Sequence, residues 1–176
     1  MPTFKKQNAL CSVMIELISI DLAGTIVPCD EGPIVVRPGF REFMEAYRPH
    51  TIRIMFTDGY PDTVQWYMDR VPELRLFEGI YDSRHCMYIP DDDIVKNLKT
   101  PLHDAGIAPE LAVHIGDNWM NRDRRSAEHA GVRFIRIPQF RHNAADYYER
   151  DRNDGYVIYE DPERPWSFME LVDKID

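Results

Sequence analysis

Three cysteines in 176 residues, Cys11, Cys29 and Cys86, are widely spaced and odd in number, and none forms a C-x-x-C pair. That scarcity argues against a disulfide framework and against a zinc knuckle, and it suits a reducing cytoplasm. His85 beside Cys86 has no second pair to complete a metal site. Lysines and arginines form no run; 21 of them face 30 acids, and the formal net charge of −9 would repel a nucleic-acid polyanion. The acidity itself reads as solubility. Nowhere does an apolar stretch approach the roughly 18 residues that cross a bilayer, so no membrane partner is expected. Lys5 and Lys6 ahead of apolar residues imitate a secretion signal, but Glu16 interrupts the run, and a short tail leading into a buried strand is expected instead. Internal repeats, low-complexity tracts and linkers are lacking too.

What the chain does have is the composition of an ordinary globular protein, 44% apolar and 29% charged, well away from the signature of disorder. A chain of this length can bury about 70% of its unfolded surface. One domain is expected over residues 1–176, with a core at about 15–138 and a C-terminal extension at 139–176.

Five short runs suit strands by length and β-branched content: LISID (17–21), IRIMFT (52–57), GIYDS (79–83), LAVHIGD (111–117) and VRFIRIP (132–138). Helical periods fill 39–48, 61–71, 91–106, 121–131 and 166–175. Pro61 suits a first helical turn, Pro101 should break or kink the third helix, and Gly106 and Gly131 close the third and fourth. This alternation predicts an α/β, doubly wound, Rossmann-like fold with a mainly parallel sheet covered by helices on both faces. Residues 25–39 can form a small hairpin flap, and no stretch is long enough for a large cap domain. Within 139–165, a turn at Asn153-Asp154-Gly155 and an edge strand in YVIYE are expected.

Ligands of such sheets gather outside the carboxyl ends of the strands. Asp21 ends the first strand, Thr57 and Asp58 the second, and Gly116 with Asp117 the fourth. An acid that closes an apolar strand needs a partner or a purpose, because burying an unpaired charge is costly.

These residues resemble, in order and spacing, the haloacid dehalogenase superfamily of phosphotransferases and hydrolases, over roughly residues 15–138. Asp21-Leu22-Ala23-Gly24-Thr25 is similar to its D-x-D-x-T loop, Thr57 to its second motif, Lys96 to its third and Gly116-Asp117 to its fourth. The resemblance implies a Mg²⁺-dependent phosphatase with Asp21 as nucleophile, forming an aspartyl phosphate. It further implies a cation held by Asp21, the carbonyl of Ala23, Asp117 and a second acid. That acid departs from the usual spacing: Asn121 and Arg122 occupy the expected positions, so Asp123 is taken, with Asn121 as the alternative. Thr57, with Asp58 and Asn118, would meet the phosphate, and Lys96 would neutralise it, Lys99 being the alternative.

Ala23 stands where the family's phosphatases carry a general acid and base, and an alanine moves no proton. Three explanations are open. Asp58, Asp30 or Glu31 could substitute; the chemistry could dispense with that acid, as in the phosphonoacetaldehyde hydrolase branch, which is similar in having alanine there; or the protein binds phosphate ligands with little turnover. The lack of a cap resembles the carboxy-terminal-domain phosphoprotein phosphatases and implies an open site for a phosphorylated small molecule or phosphoprotein. Capless relatives also cover their sites by forming homo-oligomers, for which Trp119, Tyr147 and Tyr148 are candidates.

Overall fold

The computed structural model describes residues 14–47, 49–90, 93–143 and 155–175. The N-terminal tail with Cys11, the aromatics Tyr147 and Tyr148, and Asn153-Asp154 of the expected turn lie outside the described residues. Gly155, the turn's last residue, has the positive φ of 75° that glycine tolerates.

Five strands form the central sheet in the order β3-β2-β1-β6-β7: β1 (Leu17–Ile20), β2 (Ile52–Phe56), β3 (Gly79–Tyr81), β6 (Ala112–Gly116) and β7 (Arg133–Arg136). Every pairing in it is parallel. The central strands β1, β2 and β6 are short and almost wholly buried, which is why they read as continuous apolar runs, while the outer strands β3 and β7 are only partly covered. Ile18, Ile20, Met55, Val113 and Ile115 join one hydrophobic cluster with Phe40, Phe43 and Met44 of α1 (Phe40–Ala46) and Val64 of α2 (Pro61–Met68). Leu17, Ile54, Phe56 and Ala112 join the other, with Leu102 of α3 (Lys99–Ala105) and Ala127 and Ala130 of α4 (Arg122–Ala130). Helices thus cover both faces. No helix among the described residues is long and apolar enough to cross a membrane.

The chain runs outward from β1 through β2 to β3, then returns to β1's other side with β6. That reversal is the switch point at which open parallel sheets bind ligands. Register brings the strand ends level, since Ile20 lies beside both Met55 and Ile115. Asp21 therefore emerges between the Thr57 and Asp117 ends.

Three sequence expectations are corrected. The acidic start expected for a helix at 91–106 is instead β5 (Asp93–Lys96), which pairs antiparallel with β4 (Cys86–Ile89), and the helix begins only at Lys99. Partnership with β4 overrides the local helical period, and Pro101 falls in the helix's first turn, where a missing N–H costs little. The expected flap at 25–39 is a loop with one isolated bridge, Ala23 to Val27. The YVIYE strand, β9 (Ile158–Tyr159), pairs with β8 (Pro138–Gln139) apart from the main sheet. Arg37 ties this extension down. Its guanidinium lies 4.8 Å from the Phe140 ring centre and 5.0 Å from that of Trp166, and its Nη2 donates to the Pro138 carbonyl at 2.7 Å.

Candidate active site

A cavity of about 300 Å³ opens at this edge, lined by Asp21, Ala23, Cys29, Asp58, Lys96, Asp117, Trp119, Arg122, Asp123, Gln139 and Arg141. Three carboxylates meet in it: oxygens of Asp21, Asp117 and Asp123 lie within 4.8 Å of one another, all buried. Lys96, at the end of β5, donates from Nζ to Asp21 Oδ1 at 2.7 Å and also to Asp123 Oδ1. Its own backbone N–H donates to Ser126 Oγ at 2.9 Å, so α4 fixes the strand that carries it. Lys99, the alternative, is exposed at the start of α3.

Asp123 sits at the first turn of α4 and is held from both sides. His114 Nε2 lies 3.0 Å from Oδ1, and the Asn118 N–H donates to Oδ2 at 2.9 Å. His114 is fully buried in β6, and its Nδ1 bonds Ser19 Oγ at 2.9 Å across the β1–β6 register. Asp117 takes the Trp119 N–H on Oδ1 at 3.1 Å and the Gln139 side chain on Oδ2. Thr25 bridges the first and fourth motifs: its hydroxyl donates to Asp21 Oδ2 at 3.4 Å and accepts the Asp117 N–H at 3.1 Å. Gly24 has φ 74°, and a Cβ there would overlap the Asp117 carboxylate.

One ammonium faces three acids, and the titration of the group follows. Burial lifts Asp21 well above the ordinary carboxylate range; Lys96 opposes the lift, while Asp123 and Asp117 add to it. Burial likewise raises Asp117 to about 6, with Asp123 adding and Gln139 opposing. For Asp123, burial is overcome by Lys96 and His114, which hold it below the usual range. Burial works against the charge of Lys96 too, but Asp123 and Asp21 raise it above the ordinary lysine value. Burial lowers His114, whose neutral ring then serves as a spacer between Ser19 and Asp123.

Several expected residues take other positions. Thr57 ends β2, but its hydroxyl accepts the Gly59 N–H at 3.1 Å, and it is not among the lining residues. Asn118 is not among the lining residues either. Its Oδ1 accepts the Arg124 N–H at 3.0 Å and its Nδ2 donates to the Tyr156 carbonyl at 3.1 Å, so the side chain braces the loop. Asn121 bonds Asn118 at 3.3 Å and does not line the cavity, whereas Asp123 does. Of the substitutes weighed for Ala23, Asp58 alone lines the cavity, and Arg122 Nη1 donates to it at 2.6 Å. Asp30 instead accepts the His142 N–H at 2.8 Å and the Asn143 N–H at 3.1 Å. Sequence reasoning overlooked His114, Gln139, Arg122 and Arg141. A histidine inside an otherwise apolar strand was the one available signal.

A sequence profile supplies the decisive comparison: that of NLI interacting factor-like phosphatases matches residues 9–147, most of the chain. The chain belongs to this family. No curated protein sequence matches it significantly. Among solved structures, a haloacid dehalogenase-like family hydrolase from Xanthomonas campestris superposes with a TM-score of 0.61 at 15% identity, covering 93% of this chain and 96% of its own. A HAD-superfamily hydrolase, subfamily IA, from Geobacter sulfurreducens PCA gives 0.55 at 16% identity, covering 71% and 92%. A haloacid dehalogenase-like hydrolase from Streptococcus pneumoniae gives 0.53 at 18%, covering 74% and 88%. At these identities the likeness is one of fold. The NLI interacting factor-like phosphatase profile extends over Asp21, Thr57, Lys96, Asp117 and Asp123 alike.

Gly116 tests how tightly α4 is docked, because a Cβ there would overlap the Asp123 carboxylate. Gly116→Ala is expected to cost about 1–3 kcal/mol by overpacking, read as a lower urea midpoint. An unchanged midpoint would mean that β6 and α4 part freely.

Proposed function

We propose that the protein is a Mg²⁺-dependent phosphohydrolase that works through an aspartyl phosphate on Asp21. The observation that carries this reading is the Lys96 ammonium shared between Asp21 and Asp123, with Asp117 within the same 4.8 Å set. The residues fit a hard divalent cation. Their donors are carboxylate oxygens, and the buried set has more negative than positive charge. Asp21, Asp117 and the Ala23 carbonyl would hold the ion, and Asp123 completes the acidic set while anchoring Lys96. A divalent ion bound there supplies charge neutralisation to the phosphoryl oxygens and keeps the Asp21 carboxylate ionised.

This chain's own groups do the rest. Asp21 presents an oxygen to phosphorus, oriented by Lys96 on one side and Thr25 on the other. Lys96 offsets the charge on the nucleophile and the incoming ester. Arg122 and Arg141 line the cavity walls and add positive charge near an entering phosphorylated substrate. Exposed Ala23, which adds no proton-transfer group, favours a second reading, a phosphate-ligand binding protein with little turnover.

Hydrolysis of p-nitrophenyl phosphate is expected to require Mg²⁺ and to stop on chelation; stoichiometric phosphate binding without turnover would support the second reading. Calorimetry adds a pH test. Below about 6 Asp117 carries a proton in the metal-free protein, and the ion must displace it. Mg²⁺ affinity is therefore expected to be about tenfold weaker at pH 5 than at pH 7. A flat pH profile would remove Asp117 from the cation's ligands.

A further inference from the structure

Among the described residues that line the cavity, no acid is left free to protonate a departing oxygen. Ala23 is exposed at the position that faces the cavity beside Asp21 and has no titratable group. The Arg122 guanidinium donates to Asp58 at 2.6 Å and holds its carboxylate. Asp117 is committed to the cation in the reading above and is held by Trp119 and Gln139, and Asp123 is held by Lys96, His114 and Asn118. Cys29 also lines the cavity, but burial pushes its thiol up to about 11, far from the operating pH at which proton donors are efficient.

The mouth of the same cavity carries an aromatic face. Trp119 is 48% exposed and lines it, and its neighbour Met120 is 53% exposed. The loop that presents them is costly to build: Asn118, Met120 and Asn121 all adopt left-handed backbone, with φ of 68°, 53° and 60°. The Asn118 bonds to Arg124, Tyr156 and Asn121 hold it there. A strained loop that leaves an indole in solvent at a cavity mouth is a platform for a flat, apolar group.

We propose that the cavity selects aryl phosphates, an inference that rests on the phosphohydrolase reading above. Phosphoryl transfer passes through a loose transition state in which the leaving oxygen carries much of the charge. Without a proton donor, the leaving group must tolerate that charge itself. A phenol ionises near pH 10, as tyrosine does, whereas an aliphatic alcohol resembles water, at about 15.7. An Asp21 oxygen bonds to phosphorus as the P–O bond to the ring oxygen breaks; the electron pair leaves on the aryloxide, which takes its proton from bulk water. Water then adds to phosphorus, the P–O bond to Asp21 breaks with its electron pair returning to the carboxylate, and the proton leaves with inorganic phosphate or to solvent. Since no base activates that water, the second step is the slower one and the aspartyl phosphate accumulates.

The test compares kcat/KM with Mg²⁺ for phenyl phosphate, a phosphotyrosyl peptide, glycerol phosphate and a phosphoseryl peptide. Either aryl ester is expected to exceed both alkyl esters by about 10³ or more, and the faster of the two aryl esters identifies whether the source is a small molecule or a peptide. A burst of about one equivalent of phenol should precede steady turnover. Ala23→Asp should raise alkyl turnover by about 10²–10⁴ and aryl turnover less. Trp119→Ala should raise the aryl KM about tenfold with kcat little changed. Equal rates for aryl and alkyl esters, or an aryl KM indifferent to Trp119, would overturn the inference and leave the phosphohydrolase reading intact. No turnover of any ester, by the parent or by Ala23→Asp, would overturn both.

Discussion

Asp21→Asn is expected to lower turnover by at least about 10⁴, because an amide oxygen cannot form the phosphoryl bond that splits hydrolysis into two steps. The fold should survive. Asn is nearly isosteric with Asp, Lys96 keeps Asp123 as its partner, and one charge leaves a group that holds three acids against one ammonium. Burial and the neighbouring carboxylates already raise Asp21, so neutralising it relieves repulsion, and the urea midpoint should stay level or rise. Turnover of p-nitrophenyl phosphate and denaturation on the same preparation check both halves. Residual activity within tenfold of the parent would remove Asp21 as nucleophile, whatever the stability.

Lys96→Met is expected to have the largest effect on stability. The ammonium is 3% exposed and touches two carboxylates that are 8% and 3% exposed, so its removal leaves buried negative charge uncompensated. Losing one partner of such a pair costs about 3–5 kcal/mol. The sign of the pH dependence follows. In the variant the acids regain neutrality only by binding protons, so their folded-state pKa values lie above the unfolded ones. That deficit is greatest at neutral pH and shrinks as pH falls toward 5. Millimolar Mg²⁺ should shrink it too, since a cation replaces the missing charge. Urea melts at pH 7 and pH 5, with and without Mg²⁺, read all three effects; an unchanged midpoint at pH 7 would mean that the cluster is already neutral without Lys96.

The fates of Asp123, Lys96 and Asp58 separate what was legible from what was not. Asp123 could be chosen over Asn121 from the small residues and terminal glycine of the segment after it, and in the structure it lines the cavity. The motif marks Lys96, but the element that carries it is a strand and not the expected helix. The acids around 91–93 suggest a helix start, and only pairing with β4 makes Asp93–Lys96 a strand. Asp58 is legible as an acid at a strand end, but its partner Arg122, far along the chain, is not. The polar track Ser19–His114–Asp123 was harder still, since it requires the β1–β6 register and the docking of α4 together.

By itself the sequence determined the alternation of strand and helix, the parallel sheet, and the placing of Asp21, Thr57 and Asp117 at strand ends. Those features are written in short β-branched apolar runs, in periods of 3.6 residues, and in the cost of leaving an acid at the end of an apolar run. Only the tertiary structure decided which group each charge meets, Lys96 between two acids, Asp58 against Arg122 and Gln139 on Asp117, and that an exposed indole lines the same cavity. Partners separated by tens of residues are set by topology and register, and a local pattern carries no record of them.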